Sequence, residues 1–283
     1  MNSMGIEALP KDCLGKILSL TTPRDVCRAA AVSSTFNSAS HLNLVWNTFL
    51  PKKLTDTQFR PSIDLVFPSK KFLFMFISGR PILLQGDRVS ILSAHFLYCI
   101  LPSLQMFYLS RSTGKTSFVF SSKELSIAWG DDPNCWNRIQ LFCSRFLGAA
   151  ELLGVCWFDI RYTVDVSLLS PSTRYLANLV YNLDFRSYGF DEHPVEAELC
   201  INGGEASKRK MYLCEQPMEE RMNDEGIEYA KLRSDLWLEA KLGEFYTTDE
   251  GEGKVDIRVS ETQVLHWKSR IIIEGIEIKA IEE

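Results

Sequence analysis

The chain has 283 residues, 46% of them hydrophobic and 24% charged, with a formal net charge of −5. That balance excludes a disordered chain and leaves room for one large domain and a small one. It also weighs against a general nucleic-acid binder, which needs clustered Lys and Arg to displace counterions.

The first stretch, Leu9 to Pro51, is patterned as helix throughout. Leu9-Pro10 opens a helix with proline at its tolerated first position, and Leu14, Ile17 and Leu18 share one face at i, i+3, i+4 spacing. Thr22 is placed to cap a second helix, with Pro23 at its first position and Asp25 three residues after the cap, where a negative charge suits the helix N-terminus. Val26, Ala29 and Ala30 supply its inner face, and Ser33 can cap a third helix bearing Phe36 and Ala39. Leu44, Val45, Trp46, Phe49 and Leu50 make a last apolar turn that Pro51 closes. About 40 residues rarely hold a core unaided, so these faces turn either to the rest of the chain or to a partner.

Through Leu9-Pro10, Ile17-Leu18, Thr22-Pro23-Arg24-Asp25-Val26, Val32-Ser33 and Trp46 to Leu50-Pro51, this segment resembles the plant F-box proteins. The resemblance implies a helical hook for the Skp adaptor of a cullin-based SCF ubiquitin ligase. By that likeness Leu9, Pro10, Ile17, Leu18, Pro23, Val26, Val32 and Trp46 face the adaptor, with a minority of them packing the hook internally.

Residues 52–105 form a linker, in which Lys52 to Arg80 joins the halves and Val89 to Gln105 stands out as an apolar insertion. No formal charge lies between Arg88 and Arg111, and that length would span a bilayer. Ser90, Ser93, His95, Ser103 and Gln105 are scattered along it and Pro102 breaks it, so the expectation is a buried element and no membrane span. Arg111-Ser112-Thr113-Gly114-Lys115-Thr116 ends like a phosphate loop, but position 109 is leucine where that loop needs glycine, and it reads as a turn.

Beyond this point the period changes to two. Phe158 to Val166, Val195 to Leu199, Leu236 to Leu242, Val255 to Val259 and Ile271 to Ile278 alternate apolar and polar residues, as strands with one wet face do. Gly203-Gly204 and Gly251-Glu252-Gly253 punctuate them, and Gly275 sits where a bulge would fall. Arg145 to Leu153 reads as a short helix, and Lys208-Arg209-Lys210, near Glu215, Glu219 and Glu220, as a solvated loop. The fold class is therefore a small all-α hook followed by an all-β sandwich of jelly-roll type, with domains at 1–51 and 106–283.

From about Met106 to Lys279 the chain is similar to the phloem-protein-2-like, or Nictaba-like, lectins. The motifs are Gly114-Lys115, Ser126-Ile127-Ala128-Trp129-Gly130-Asp131-Asp132, Trp136, Ala150-Glu151-Leu152-Leu153 with Val155-Cys156-Trp157, Leu169-Ser170-Pro171, Gly243-Glu244-Phe245 and His266-Trp267-Lys268 before Gly275-Ile276. The resemblance implies binding of N-acetylglucosamine-containing glycans or glycoproteins, with a tryptophan pair at Trp129 and Trp136. A pyranose offers an apolar face and a rim of hydroxyls, so stacking indoles beside Asp132 and Asn134 suit it. Trp157 and Trp237 are expected in the core, and Trp267 is open to either role. Two departures stand out: Cys135 and Arg138 replace aromatics common in relatives, and Arg270 stands where a glycine is common.

Catalytic patterns are absent from the sequence. There is no G-x-S-x-G or H-E-x-x-H, and His41, His95, His193 and His266 show no metal spacing, so neither catalytic residues, metal nor cofactor is expected. Eight cysteines without a C-x-x-C pair, and an N-terminus without a secretory pattern, point to a reducing cytoplasm or nucleus. The expected function is a non-catalytic substrate receptor of the ligase, binding the Skp adaptor at one end and a glycan at the other. The alternatives are a sandwich that reads a protein degron and no sugar, and a lectin that has lost ligase coupling.

Overall fold

A computed structural model describes residues 5–6, 9–51, 67–78, 82–85, 88–90, 105–214 and 227–282. The chain divides into two compact units, one of Met1–Leu92, Phe107–Ser117 and Glu282–Glu283, the other of Ser93–Met106 and Phe118–Ile281.

The first unit is helical. Helices α1 (Lys11–Leu18), α2 (Pro23–Ala30), α3 (Ser34–Ser40) and α4 (Asn43–Asn47) follow the sequence pattern, and α5 (Lys70–Ile77) joins them. Pro10 caps α1 from outside, one position earlier than its expected place inside the helix. Thr22 accepts the Asp25 N–H at 3.2 Å and its own hydroxyl donates to the Asp25 carboxylate at 2.8 Å, closing α2 reciprocally. Ser33 caps α3 through the Phe36 N–H. The core gathers around Trp46, which is fully buried and donates its indole N–H to Ser40 O at 2.6 Å. Phe74 of α5 lies 5.2 Å from the Trp46 ring and Phe49 lies 5.9 Å away. A helix from beyond the hook thus covers part of its apolar face, which is how so short a segment acquires a core. Strands β1 (Ile82–Gln85) and β2 (Arg88–Ser90) pair antiparallel within the same unit. The segment around Gly114 also packs here: Arg24 donates its N–H to Ser112 O at 3.3 Å, and a Cβ on Gly114 would meet Phe49 at 3.2 Å.

Strands β3 (Gln105–Leu109) and β4 (Thr116–Ser121) flank that segment, confirming the turn reading of Arg111 to Thr116. Most of the Val89 to Gln105 insertion lies outside the described residues. Among the described residues no helix is long and apolar enough to cross a membrane.

The second unit is a β-sandwich. After β4 come β5 (Ser126–Ile127), β6 (Trp136–Ile139), β7 (Ala149–Leu152), β8 (Phe158–Asp165), β9 (Thr173–Tyr188), β10 (Val195–Ile201), β11 (Ser207–Tyr212), β12 (Glu228–Tyr229), β13 (Lys231–Leu232), β14 (Leu238–Thr247), β15 (Lys254–Glu261) and β16 (Ser269–Ala280). One sheet runs β13-β14-β9-β16-β4, with β7 also on β16 and β6 on β7; the other runs β12-β11-β10-β15-β8-β5. Pairing is antiparallel save between β11 and β12. The faces meet through contacts such as Phe120 with Tyr162, 4.6 Å between rings. Alternating burial along β10 and β15 explains why their period was readable, whereas the central β16 is buried almost throughout.

Two expected elements differ. Ala149–Leu152 is a strand between β6 and β16, where a helix was anticipated: Phe146, Ala149, Ala150 and Leu153 fit helical spacing, but a short apolar run does not by itself distinguish the two. Lys208-Arg209-Lys210 lies in β11, not in a solvated loop. Two of its charges are answered across the sheet, Lys208 by Glu196 and Glu198 and Arg209 by Glu228, and Lys210 is exposed, so the run needed no loop to reach solvent.

Gly275 does mark a bulge: the β16–β9 register shifts between Ile273 and Gly275. A Cβ there would sit 1.9 Å from the Phe120 carbonyl oxygen, which is backbone and cannot swing aside. Gly275→Ala is expected to cost about 3 kcal/mol, the upper part of the range for overpacking, read as a lowered urea midpoint. A loss below about 1 kcal/mol would show that β4 and β16 can part without penalty.

Candidate functional site

The turn between β5 and β6 carries the expected sugar-facing residues. It is tightly closed: Gly130 N–H donates to Ile127 O at 2.9 Å, Asp132 N–H to Trp129 O at 2.9 Å, and Trp136 N–H to Asp132 O at 2.9 Å. Trp129 adopts φ 61°, a left-handed conformation costly for a bulky side chain, and is 59% exposed. An indole held out into solvent on a strained backbone is the site's most unusual feature.

Trp136 is not its partner. It is 5% exposed, packs near Phe158 and donates its indole N–H to Ala128 O at 3.1 Å. Its place on β6 turns the ring inward, so it fixes the base of the turn that presents Trp129 and cannot stack on a ligand. Asn134 donates both its backbone and its side-chain N–H to Asp132 Oδ1, at 2.8 and 2.9 Å, so these two residues first lock the turn on each other. Burial and the neighbouring Asp132 push the Cys135 thiol up. Arg138 donates to Ser122 Oγ at 3.1 Å, directing the fork along the β6 edge.

Sequence reasoning placed Trp157 in the core, and the structure corrects it: the residue is 43% exposed, while Val155 and Phe158 on either side of it are the ones turned inward. Trp237 is buried as expected, its indole N–H donating to Cys143 O at 3.0 Å. Trp267 is exposed, and a Cβ on Gly154 would lie 3.7 Å from its ring. Leu153 N–H donates to Cys135 O at 2.8 Å, so the Trp129 turn and the Trp267 loop flank one strand end. Asp159 supports the turn from below, its carbonyl accepting the Ala128 N–H at 2.9 Å.

Asp159 also ties the site to pH. Burial alone would raise its carboxyl, but Arg161 and Arg258, each at 2.8 Å, hold it below the usual range. Glu261 is held low in the same way, burial being outweighed by Lys268 and the Val264 and Gln263 N–H groups. Carboxyls that bind protons less tightly when folded contribute stability that is complete above their unfolded values near 4 and lost as pH falls through the folded ones. The urea midpoint is expected to stay level from about pH 7 to about pH 5 and to decline below that. A midpoint that rose on acidification would contradict both pairings.

Comparison with known proteins places this geometry. The family model described as phloem protein 2 matches residues 115–280, and an F-box-like model matches residues 6–52. The chain belongs to the F-box proteins that carry a phloem protein 2 domain. Its relatives in Arabidopsis thaliana include F-box protein At2g02240, 38% identical over 96% of this chain and 79% of that one, and F-box protein PP2-B10, 35% identical over 98% and 94%. A family 35 carbohydrate binding module from Clostridium thermocellum superposes with a TM-score of 0.34 at 12% identity, over 58% of this chain and 98% of that one, too loosely to bear on the ligand.

Within the F-box, the eight residues expected to face an adaptor divide evenly. Leu9, Pro10, Ile17 and Val32 are exposed, Val32 at 74%, as is the unanticipated Leu20 at 76%. Leu18, Pro23, Val26 and Trp46 are buried within the first unit, half of the set where a minority was expected. Phe74 of α5 covers Trp46, and the segment at Gly114 lies against Pro23, where a Cβ on that glycine would meet it at 3.3 Å. The phloem protein 2 domain likewise explains Arg270: it sits at φ 65°, a left-handed position that suits glycine, and pairs with Glu151 at 3.1 Å.

Proposed function

We propose that this chain is the substrate-recognition subunit of a cullin-based SCF ubiquitin ligase. Its F-box docks a Skp-family adaptor through Leu9, Pro10, Ile17, Leu20 and Val32, and its phloem protein 2 domain binds N-acetylglucosamine-containing glycans or glycoproteins at the Trp129 turn. Ubiquitin transfer in such an assembly is a matter of proximity, so the receptor requires two interfaces and no catalytic group of its own. The described cysteines are free thiols, which suits a cytoplasmic or nuclear setting.

The observation that carries the glycan reading is Trp129. A solvent-exposed indole contributes little to folding, and its left-handed backbone costs stability, so its retention in that form is best supported by a ligand that stacks on it. The experiment is a glycan array of the adaptor-bound protein beside Trp129→Gly. Glycine accepts φ 61° without strain, so this variant is expected to be as stable as the parent or about 1 kcal/mol more so. Binding is expected to fall about tenfold or more, because one aromatic face is worth roughly 1.5 kcal/mol. Undiminished glycan binding by the variant would remove Trp129 from the site.

The second reading, a protein degron in place of sugar, is supported by the exposed apolar side chains Val264, Leu265 and Trp267 on one loop. An array without signal from folded parent protein, with capture of a peptide lost in Leu265→Asp, would favour it.

A further inference from the structure

We propose that Glu192, His193 and His266 form a binding site for one divalent transition-metal ion of the zinc class. The loop after β9 brings Glu192 and His193 to the loop before β16 that carries His266, and one ligand atom from each lies within 4.8 Å of the others. The two imidazole rings are 5.2 Å apart, edge to face. His266 Nε2 lies 2.7 Å from Glu192 Oε2, yet this buried nitrogen makes no aligned hydrogen bond. The pair is close without the in-line geometry of N–H···O, leaving a buried polar atom whose direction is unanswered. An ion held by both groups answers it.

The donor set selects the ion. Two neutral imidazoles and a carboxylate suit zinc, whereas calcium and magnesium prefer cages of oxygen. Three protein ligands leave a fourth position open, and the half-buried Glu192 and His266 side chains leave it reachable from solvent. The arrangement is also held in place. Lys268 Nζ, fully buried, donates to His266 O at 2.7 Å, and the Tyr188 ring lies against the His266 ring, tilted by 40° at 5.3 Å. Gly189 has φ 83°, and a Cβ on it would lie 2.2 Å from Trp267 O, so the strand end leading to Glu192 is in backbone contact with the loop of His266. Such support limits the reorganisation that binding requires. Because Trp267 follows His266 directly, the ion would sit at the margin of the exposed aromatic surface, but the site stands on its own residues and does not depend on a glycan.

The test uses the full chain, freed of metal with a chelator, titrated with Zn2+ by calorimetry and with Co2+ by absorption. Exposed thiols such as Cys13, Cys27 and Cys143 could also take metal, and cobalt separates the two cases because thiolate ligands add a strong near-ultraviolet charge-transfer band. One equivalent of Zn2+, a cobalt spectrum without that band, and affinity weakened about 100-fold or more in His193→Gln and in Glu192→Gln would support the site, since loss of a direct ligand exceeds the 10–100-fold cost of losing a supporting group. His266→Gln serves as the third variant, and if it fails to fold the other two decide. No saturable Zn2+ binding, binding unchanged in both variants, or a thiolate-type cobalt spectrum would overturn it.

Discussion

Arg145→Ala is expected to destabilise the β-sandwich by roughly 3–5 kcal/mol, seen as a fall in the urea midpoint of the strand signal. Arg145 grips Glu274, which has no exposed surface, through Nε at 2.9 Å and Nη2 at 2.6 Å, and reaches Glu277 with Nη1 at 3.2 Å. Its own N–H donates to Glu274 Oε1 at 2.7 Å, a bond that alanine would keep. The guanidinium is lost, and a buried carboxylate is left with that N–H and Ser144 Oγ for company. Glu277 suffers less, because Arg233 donates to it at 2.5 Å. Arg145→Lys is expected to recover only part of the loss, since a point charge cannot make the two-pronged contact. A double replacement of Arg145 and Glu274 by apolar residues of similar volume is expected to cost less than Arg145→Ala alone, because no charge is stranded. An Arg145→Ala variant within about 1 kcal/mol of the parent would mean that water reaches Glu274.

That network marks where sequence reading reached its limit. The amphipathic strands Phe158 to Val166 and Val255 to Val259 were legible because each has one wet face, and the caps at Thr22 and Ser33 because their chemistry is local. The sixteen-residue β9 was not, since its middle is buried on both sides and loses its alternation. Residues 141–148 form no helix or strand although part of them fits helical spacing: they are held by Arg145 on Glu274 and by Trp237 on Cys143 O, partners about ninety or more positions away. The site divides in the same manner. Trp129 could be singled out from its motif, but the inward turn of Trp136 depends on a hydrogen bond to Ala128 O, and nothing in spacing distinguishes an inward from an outward indole. His193 and His266 carried no signal at all, because the loops that bring them together are joined only in the folded sandwich.

Glu261→Ala is expected to cost a similar 3–5 kcal/mol, and more than Lys268→Met, although the two residues form one ion pair at 2.5 Å. The asymmetry follows from what each change leaves behind. Lys268 has no exposed surface, and without Glu261 its ammonium keeps, among the described residues, the His266 carbonyl as its one hydrogen-bond partner. Glu261, deprived of Lys268, still accepts the Gln263 N–H at 3.0 Å and the Val264 N–H at 2.8 Å, so its charge stays partly answered, and methionine fills most of the lysine's volume. Urea unfolding of the two variants side by side checks the order; a larger loss in Lys268→Met would mean that the loop is held chiefly by Lys268 on His266 O. Both changes act on the segment that presents His266 and Trp267, since Glu261 fixes its start through two backbone N–H groups and Lys268 its end. The buried pair is therefore the means by which an irregular loop acquires a fixed shape at the end of the sandwich where the exposed indoles stand.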